Sequence, residues 1–212
     1  ARGNDGHEDS DCEAPEDVSS NATLSFLDEE RGVIAVAESG YWDGGGAHPS
    51  MGVQYKNIDL TTGKEIKLSD LLKDEGATES NAHRPTIETI KASMIGTVGS
   101  RKWFGAEFDK SGHRISVPKE QSLDDDERSA LRGGIASLFT KYDDKANKEV
   151  AVALGDVTDF AIAANGIAFD PTNALPHATQ ALGGPITVRT TTLAKNKMLQ
   201  DTADAKRILG AK

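Results

Sequence analysis

Apolar residues recur along this chain in two rhythms, one alternating and one helical, and their order sketches a fold. Thr23-Leu24-Ser25-Phe26-Leu27 and Val33-Ile34-Ala35-Val36-Ala37 read as short β-strands. The polar stretch Asp28-Glu29-Glu30-Arg31-Gly32 between them predicts a hairpin with a longer loop. Met51-Gly52-Val53-Gln54-Tyr55 sets Met51, Val53 and Tyr55 on one face, whereas Ile58 and Leu60 fall on the opposite parity. That switch predicts a bulge or a strand buried on both sides. Gly63 supplies the positive φ for a turn at Thr61-Thr62-Gly63-Lys64, with Glu65-Ile66-Lys67-Leu68 returning as the paired strand. Ser69 is expected to cap a short helix through Leu72, with Asp70 near its positive end.

Helical periodicity then takes over. Pro85 suits a first helical turn, and Ile87, Ile90, Met94, Ile95 and Val98 form one apolar stripe that stops around residues 96–99. The aromatic-rich Trp103-Phe104-Gly105-Ala106-Glu107-Phe108 reads as a lid or short element. Asp124-Asp125-Asp126-Glu127 opens a second helix, whose stripe is Leu131, Ile135, Leu138 and Phe139. Gly133-Gly134 weakens that helix and suggests close packing on the sheet. Strands return at residues 150–154, at 160–163 and 167–169 around the turn signal Asn165-Gly166, and at 186–190. Residues 170–185 form a long loop, and 193–209 look helical. The fold class expected is α+β, a curved antiparallel sheet with two main helices packed on one face.

Composition changes the picture mainly at the N-terminus. The formal net charge is −10, and residues 1–30 hold ten acidic residues against Arg2 alone. The remainder is nearly neutral and has no long basic run, which argues against a nucleic-acid groove. Residues 1–20 lack apolar content and read as a disordered acidic tail or linker, leaving 21–212 as a single domain. No apolar run approaches the roughly 20 residues that span a bilayer, so no membrane segment is expected. The start does not read as a signal peptide; either the chain is cytoplasmic or a signal or anchor precedes Ala1. Cys12 has no internal partner: it is incidental, an intermolecular link, or half of a pair.

Candidate chemistry is sparse. His7, His48, His83, His113 and His177 show none of the usual zinc spacings, and no metal or other cofactor is expected. No Gly-x-Ser-x-Gly elbow occurs, and Ser39 and Ser50 lack recognisable partners. Gly44-Gly45-Gly46 is followed by a strand rather than by the Lys-Ser/Thr and helix of a phosphate loop. Asp124-Asp125-Asp126 lacks the alternating spacing of a calcium loop and suits a helix start. Two loops remain, residues 44–50 and 171–185, each holding a histidine beside a proline, and Tyr41-Trp42 flanks the first. Loops on a rigid sheet are where binding surfaces concentrate.

These loops carry a resemblance. Gly45-Gly46-Ala47-His48-Pro49, then Asn57-Ile58-Asp59-Leu60-Thr61-Thr62-Gly63-Lys64 and Asp70-Leu71-Leu72, are similar to the blocks of the RsiV-like domain. That domain occurs in lysozyme-sensing anti-sigma factors and beside some peptidoglycan deacetylase domains. A second, weaker block matches Phe160, residues 165–169, Leu175-Pro176-His177-Ala178, residues 184–188 and Leu193. The chain departs from the family where Asp170-Pro171-Thr172-Asn173-Ala174 replaces an aromatic-rich segment and His177 stands in place of a tyrosine. No sigma-binding or deacetylase segment accompanies the motifs.

The resemblance implies a non-enzymatic, periplasmic or extracellular bacterial domain that binds a lysozyme-like muramidase or another cell-wall hydrolase, as inhibitor, immunity protein or sensor. The implied contact residues are Tyr41, Trp42, His48, Pro49, Ser50, Pro176, His177 and Thr179. A peptidoglycan-binding module without an enzyme partner, or a hydrolase using His48 or His177, are the competing expectations.

Overall fold

The protein is described here by a computed structural model, which covers residues 17–43, 50–73, 84–99, 104–108, 114–118, 123–145 and 147–211. It is an α+β fold in which every strand pairing is antiparallel. The strands divide into a four-stranded sheet, a three-stranded sheet and two separate hairpins.

The first sheet runs β1 (Asp17–Asp28), β2 (Val33–Asp43), β3 (Ser50–Asp59) and β4 (Lys64–Glu65) in chain order. β1 begins at Asp17, six residues before the apolar alternation starts, because Asp17 to Ala22 pair with the far end of β2. That end of the sheet projects from the core, and both faces of β1 are exposed from Ser19 to Ser25. Phe26 returns to the core side after a register shift next to Leu24.

β3 pairs with β2 without a bulge, so the parity switch at Ile58 has another cause. The inward positions continue through Val53, Tyr55, Asn57 and Asp59, and the last two are buried polar residues. Asn57 is only 2% exposed and spends its carboxamide on the outer edge of β9 (Phe160–Ala163). Its Nδ2 donates to the Phe160 carbonyl at 2.9 Å, and its Oδ1 accepts from the Ile162 amide at 2.8 Å. One side chain thus occupies the place of a peptide group and joins the two sheets.

The turn after β3 forms where Gly63 marks it, with φ +69°. β4 is shorter than expected: the Ile66 amide makes a last in-register bond to the Asn57 carbonyl, and the chain then turns into a helix. The helix α1 (Leu68–Leu71) starts from Lys67 rather than Ser69, and Asp70 accepts from the Lys67 amide at 2.9 Å. Helix α2 (Pro85–Gly99) buries Ile87, Ile90, Met94 and Val98, while Ile95 turns to solvent. The aromatic segment forms β5 (Phe104–Phe108), paired with β6 (Arg114–Pro118).

Helix α3 (Asp125–Ser137) carries a reciprocal cap, with Asp124 accepting from the Glu127 amide and Glu127 from the Asp124 amide. Gly134 serves close packing, but against Leu175 of the 170–185 segment rather than the sheet: a Cβ there would lie 2.7 Å from a Leu175 methyl carbon. β7 (Thr140–Asp143) and β8 (Lys148–Ala151) form a hairpin.

The three-stranded sheet has the order β11-β10-β9, with β10 at Gly166–Phe169 and β11 at Ile186–Arg189. Gly166 begins β10 instead of sitting in the turn, and an added Cβ would meet the Val188 carbonyl oxygen at 2.1 Å. The glycine is needed for the approach of β11. Phe139, Phe160 and Phe169 stack at the centre of the core, with ring centroids 5.7 and 6.5 Å apart. The C-terminal helical stretch is two short helices, α4 (Thr190–Lys195) and α5 (Ala203–Leu209), separated by a bridge between Leu199 and Leu72.

Asn57→Ala leaves the Phe160 carbonyl and the Ile162 amide unpaired in a buried setting, and a loss of about 2–5 kcal/mol in urea unfolding is expected. Asn57→Asp places a carboxylate against the Phe160 carbonyl. Its deficit relative to the parent protein should narrow as pH falls and the protonated acid can donate again. An equal deficit at pH 4 and pH 7 would contradict this role.

Candidate functional site

The second loop is closed at its neck by Asp170. This residue is buried, and its carboxylate accepts from the Thr172 amide at 3.0 Å, the Thr172 hydroxyl at 2.5 Å and the Gly184 amide at 3.1 Å, with the Tyr55 hydroxyl on its other oxygen at 2.6 Å. Gly184 also donates to the Thr172 hydroxyl at 2.9 Å. The two ends of the loop therefore meet on one carboxylate, as in a compact Ω-type loop. The glycines complete the neck: Gly183 lies so close to Thr172 that a Cβ would clash, and Gly184 takes φ +108°.

From this neck Asn173 reaches β3. Its Nδ2 donates to the Val53 carbonyl at 2.6 Å and its Oδ1 accepts from the Val53 amide at 2.9 Å. The same Nδ2 donates to Asp159 at 3.0 Å. As Asn57 does on β9, Asn173 fills the edge of a strand with a side-chain amide. The contact lies three residues past Ser50, where the first loop rejoins the sheet.

The described members of the expected contact set lie on β2, at the start of β3 and in the 170–185 segment. Tyr41 and Trp42 lie near the end of β2, Tyr41 opposite Ser19 and Met51, and Trp42 opposite Val18 and Ser50. The Tyr41 side chain is exposed. His48 and Pro49 lie outside the described residues, as do the side chains of Trp42, Ser50 and His177. Pro176 is exposed and precedes a 3₁₀ turn at His177–Leu182, and the Thr179 amide and hydroxyl both donate to its carbonyl. The sequence assigns no site role to Tyr55, Asp159, Asp170 and Asn173, yet these residues hold the loop. The signal available was Asp170-Pro171-Thr172-Asn173, a run rich in residues that close turns on themselves.

Burial raises the pKa of Asp159 above the usual carboxylate range. The Asn173 hydrogen bond opposes the shift, and the neighbouring Asp170 charge adds to it. Burial likewise pushes the Tyr55 phenol up, reinforced by its bond to Asp170, so Tyr55 stays a donor. Among the described residues no cluster of His, Cys, Asp and Glu could hold a metal ion. A cleft of 350 Å³ sits beside the junction, bordered by Ser20, Glu38, Gly40, Gly52, Gln54 and Asn173. Gly40 and Gly52 pair directly, and nothing lies within 4 Å of where a Gly40 Cβ would be.

No family model matches this chain, and no curated protein matches it. Among solved structures, a DUF3298 family protein from Pseudomonas aeruginosa PAO1 is a neighbour with TM-score 0.46 and 12% sequence identity. The match covers 89% of this chain and 63% of that one. No helix among the described residues is long and apolar enough to cross a membrane.

A carboxyl whose folded pKa is raised adds stability below its unfolded pKa, about 3.9, and loses it as pH rises through the folded value. Asp159→Asn keeps an acceptor for Asn173 and removes the buried charge. It should raise Tm by about 1–3 °C at pH 7, with the gain vanishing below about pH 4. A gain of the same size at both pH values would refute this assignment.

Proposed function

We propose that this chain is a non-enzymatic, extracytoplasmic bacterial domain that binds a lysozyme-like muramidase or a related peptidoglycan hydrolase, as the RsiV-like motifs imply. The observation that carries the reading is the Asn173 clip on Val53, which brings the second motif-bearing loop to the strand that receives the first. The residues singled out in the two loops lie far apart in sequence, and the clip fixes the second loop three residues from the start of β3. They can form a single contact surface that includes Tyr41, Trp42, His48, Pro49, Ser50, Pro176, His177 and Thr179. Such a surface would act by entering the hydrolase cleft and covering its catalytic carboxylates and sugar subsites. The hydrogen bonds that fix the second loop on β3 favour this mode, because less ordering entropy is lost on association.

One observation favours a second reading. The cleft over the Gly40–Gly52 pair is bordered by the polar side chains of Ser20, Glu38 and Gln54. Those groups suit the hydroxyls of a glycan, which would make the chain a peptidoglycan-binding module.

Calorimetric titration against muramidases of several structural types should show binding to at least one at micromolar affinity or better. Asn173→Ala, which frees the second loop from β3, should weaken that binding about tenfold with the circular dichroism spectrum unchanged. Silence across the panel would sink the proposal. Retention on purified peptidoglycan without affinity for any hydrolase would replace it with the glycan reading.

A further inference from the structure

The three-stranded sheet has two outer edges, and only one is closed. On β9 the outward-pointing Phe160 carbonyl and Ile162 amide are taken by Asn57, and the Phe160 amide by the Thr158 carbonyl. On β11 the phase of the ladder follows from the bond between the Thr190 amide and the Asn165 carbonyl. With that bond in place, Val188 and Ile186 exchange hydrogen bonds with β10. The amide and carbonyl of Thr187 and the amide of Arg189 therefore point away from β10. None of these three groups has a partner among the described residues.

This open edge borders a cleft of 530 Å³ between β11, α2 and the start of α4. Ser93, Thr97 and Val98 of α2 line one side, and Thr187, Arg189 and Thr192 the other. A groove between a free strand edge and a helix accepts an extended peptide as an added strand, with main-chain bonds supplying affinity and flanking side chains supplying selectivity. The lining also states the charge of the occupant. Arg189 is its only ionisable residue; it is exposed and makes no ion pair among the described residues. Among the described residues β1 presents another uncovered edge, but a register shift interrupts it and no described helix runs beside it to make a groove.

We propose that the β11–α2 groove is a peptide-binding site that takes an extended, carboxylate-bearing segment of a partner as a further strand on β11, with Arg189 pairing to the carboxylate. The site is distinct from the loop junction at Asn173, so the two proposals stand or fall separately.

The probe is a displayed library of random ten-residue peptides, selected on the full chain. Recovered peptides should be enriched in Asp and Glu, and their binding should slow hydrogen exchange of the Thr187 and Arg189 amides at least tenfold. Thr187→Pro removes a donor that points away from β10 and leaves the ladder bonds intact. It should lower peptide affinity at least tenfold with little change in Tm, and Arg189→Gln, a surface change, should do the same. Should Thr187→Pro fail to fold, Arg189→Gln and the exchange pattern still decide the matter. Recovery of no peptides, or of peptides that bind Arg189→Gln as tightly as the parent and leave the β11 amides unprotected, would overturn the proposal.

Discussion

A free strand edge carries amides and carbonyls that must find partners when the edge is buried. In this protein the constraint is met at β9 by the carboxamide of Asn57. Its two hydrogen bonds, both buried, replace the peptide that a fourth strand would have supplied. Without them the root of the long sheet would meet β9 mainly through apolar contact, which gives attraction but little register, with Arg31 on the Ala163 and Ala164 carbonyls left at the strand's end. With them, β3 and β9 are held at one relative position, and the phenylalanine cluster and helices pack around that join.

The loop junction depends on that position. Asn173 can reach the Val53 backbone only because β10 delivers the chain to Asp170 beside β3, and Asp170 then gathers Tyr55, Thr172 and Gly184. A second asparagine thus repeats on β3 what Asn57 does on β9. At the opposite corner Arg207 ties α5 to the same strand: it donates to Asp59 at 2.9 Å and to the Arg31 carbonyl. Burial works against the Asp59 carboxylate, but the Thr61 amide and Arg207 outweigh it and hold its pKa below the usual range. Polar side chains at strand margins therefore set the geometry that the apolar core fills.

Much of the architecture was legible because it rests on local rules. The β1–β2 hairpin, the Gly63 turn, the Pro85 start of α2 and the Asp124 start of α3 each follow from a residue acting within a few positions of itself. The misreadings share a different origin. Ile58 and Leu60 read as a bulge or a two-sided strand because alternation takes apolar to mean inward, whereas the inward positions there are Asn57 and Asp59, both buried with distant partners. Gly166 looked like a turn residue, yet its constraint is the Val188 carbonyl 22 positions away. Ser69 lost the cap to Lys67, whose amide donates to the Asp70 carboxylate. Of the candidate site, the loops could be named from their composition. Their joining could not, since Asn173 and Val53 are 120 residues apart.

The same reasoning separates groups that build from groups that remain available. Asp170 already accepts four hydrogen bonds, Asp159 is engaged by Asn173, and Tyr55 is committed to Asp170. A carboxylate so occupied positions a loop; it has little capacity left for an incoming ligand. Under the proposed binding role, exposed Tyr41 and Pro176 are the described side chains left to meet a partner. Backbone edges sort by the same criterion. Phe160 and Ile162 are satisfied by Asn57 and Val53 by Asn173, while Thr187 is satisfied by nothing described. Where the margins of β9 and β3 are filled by purpose-placed asparagines, the β11 edge left open beside a helix is the place to expect a strand from elsewhere.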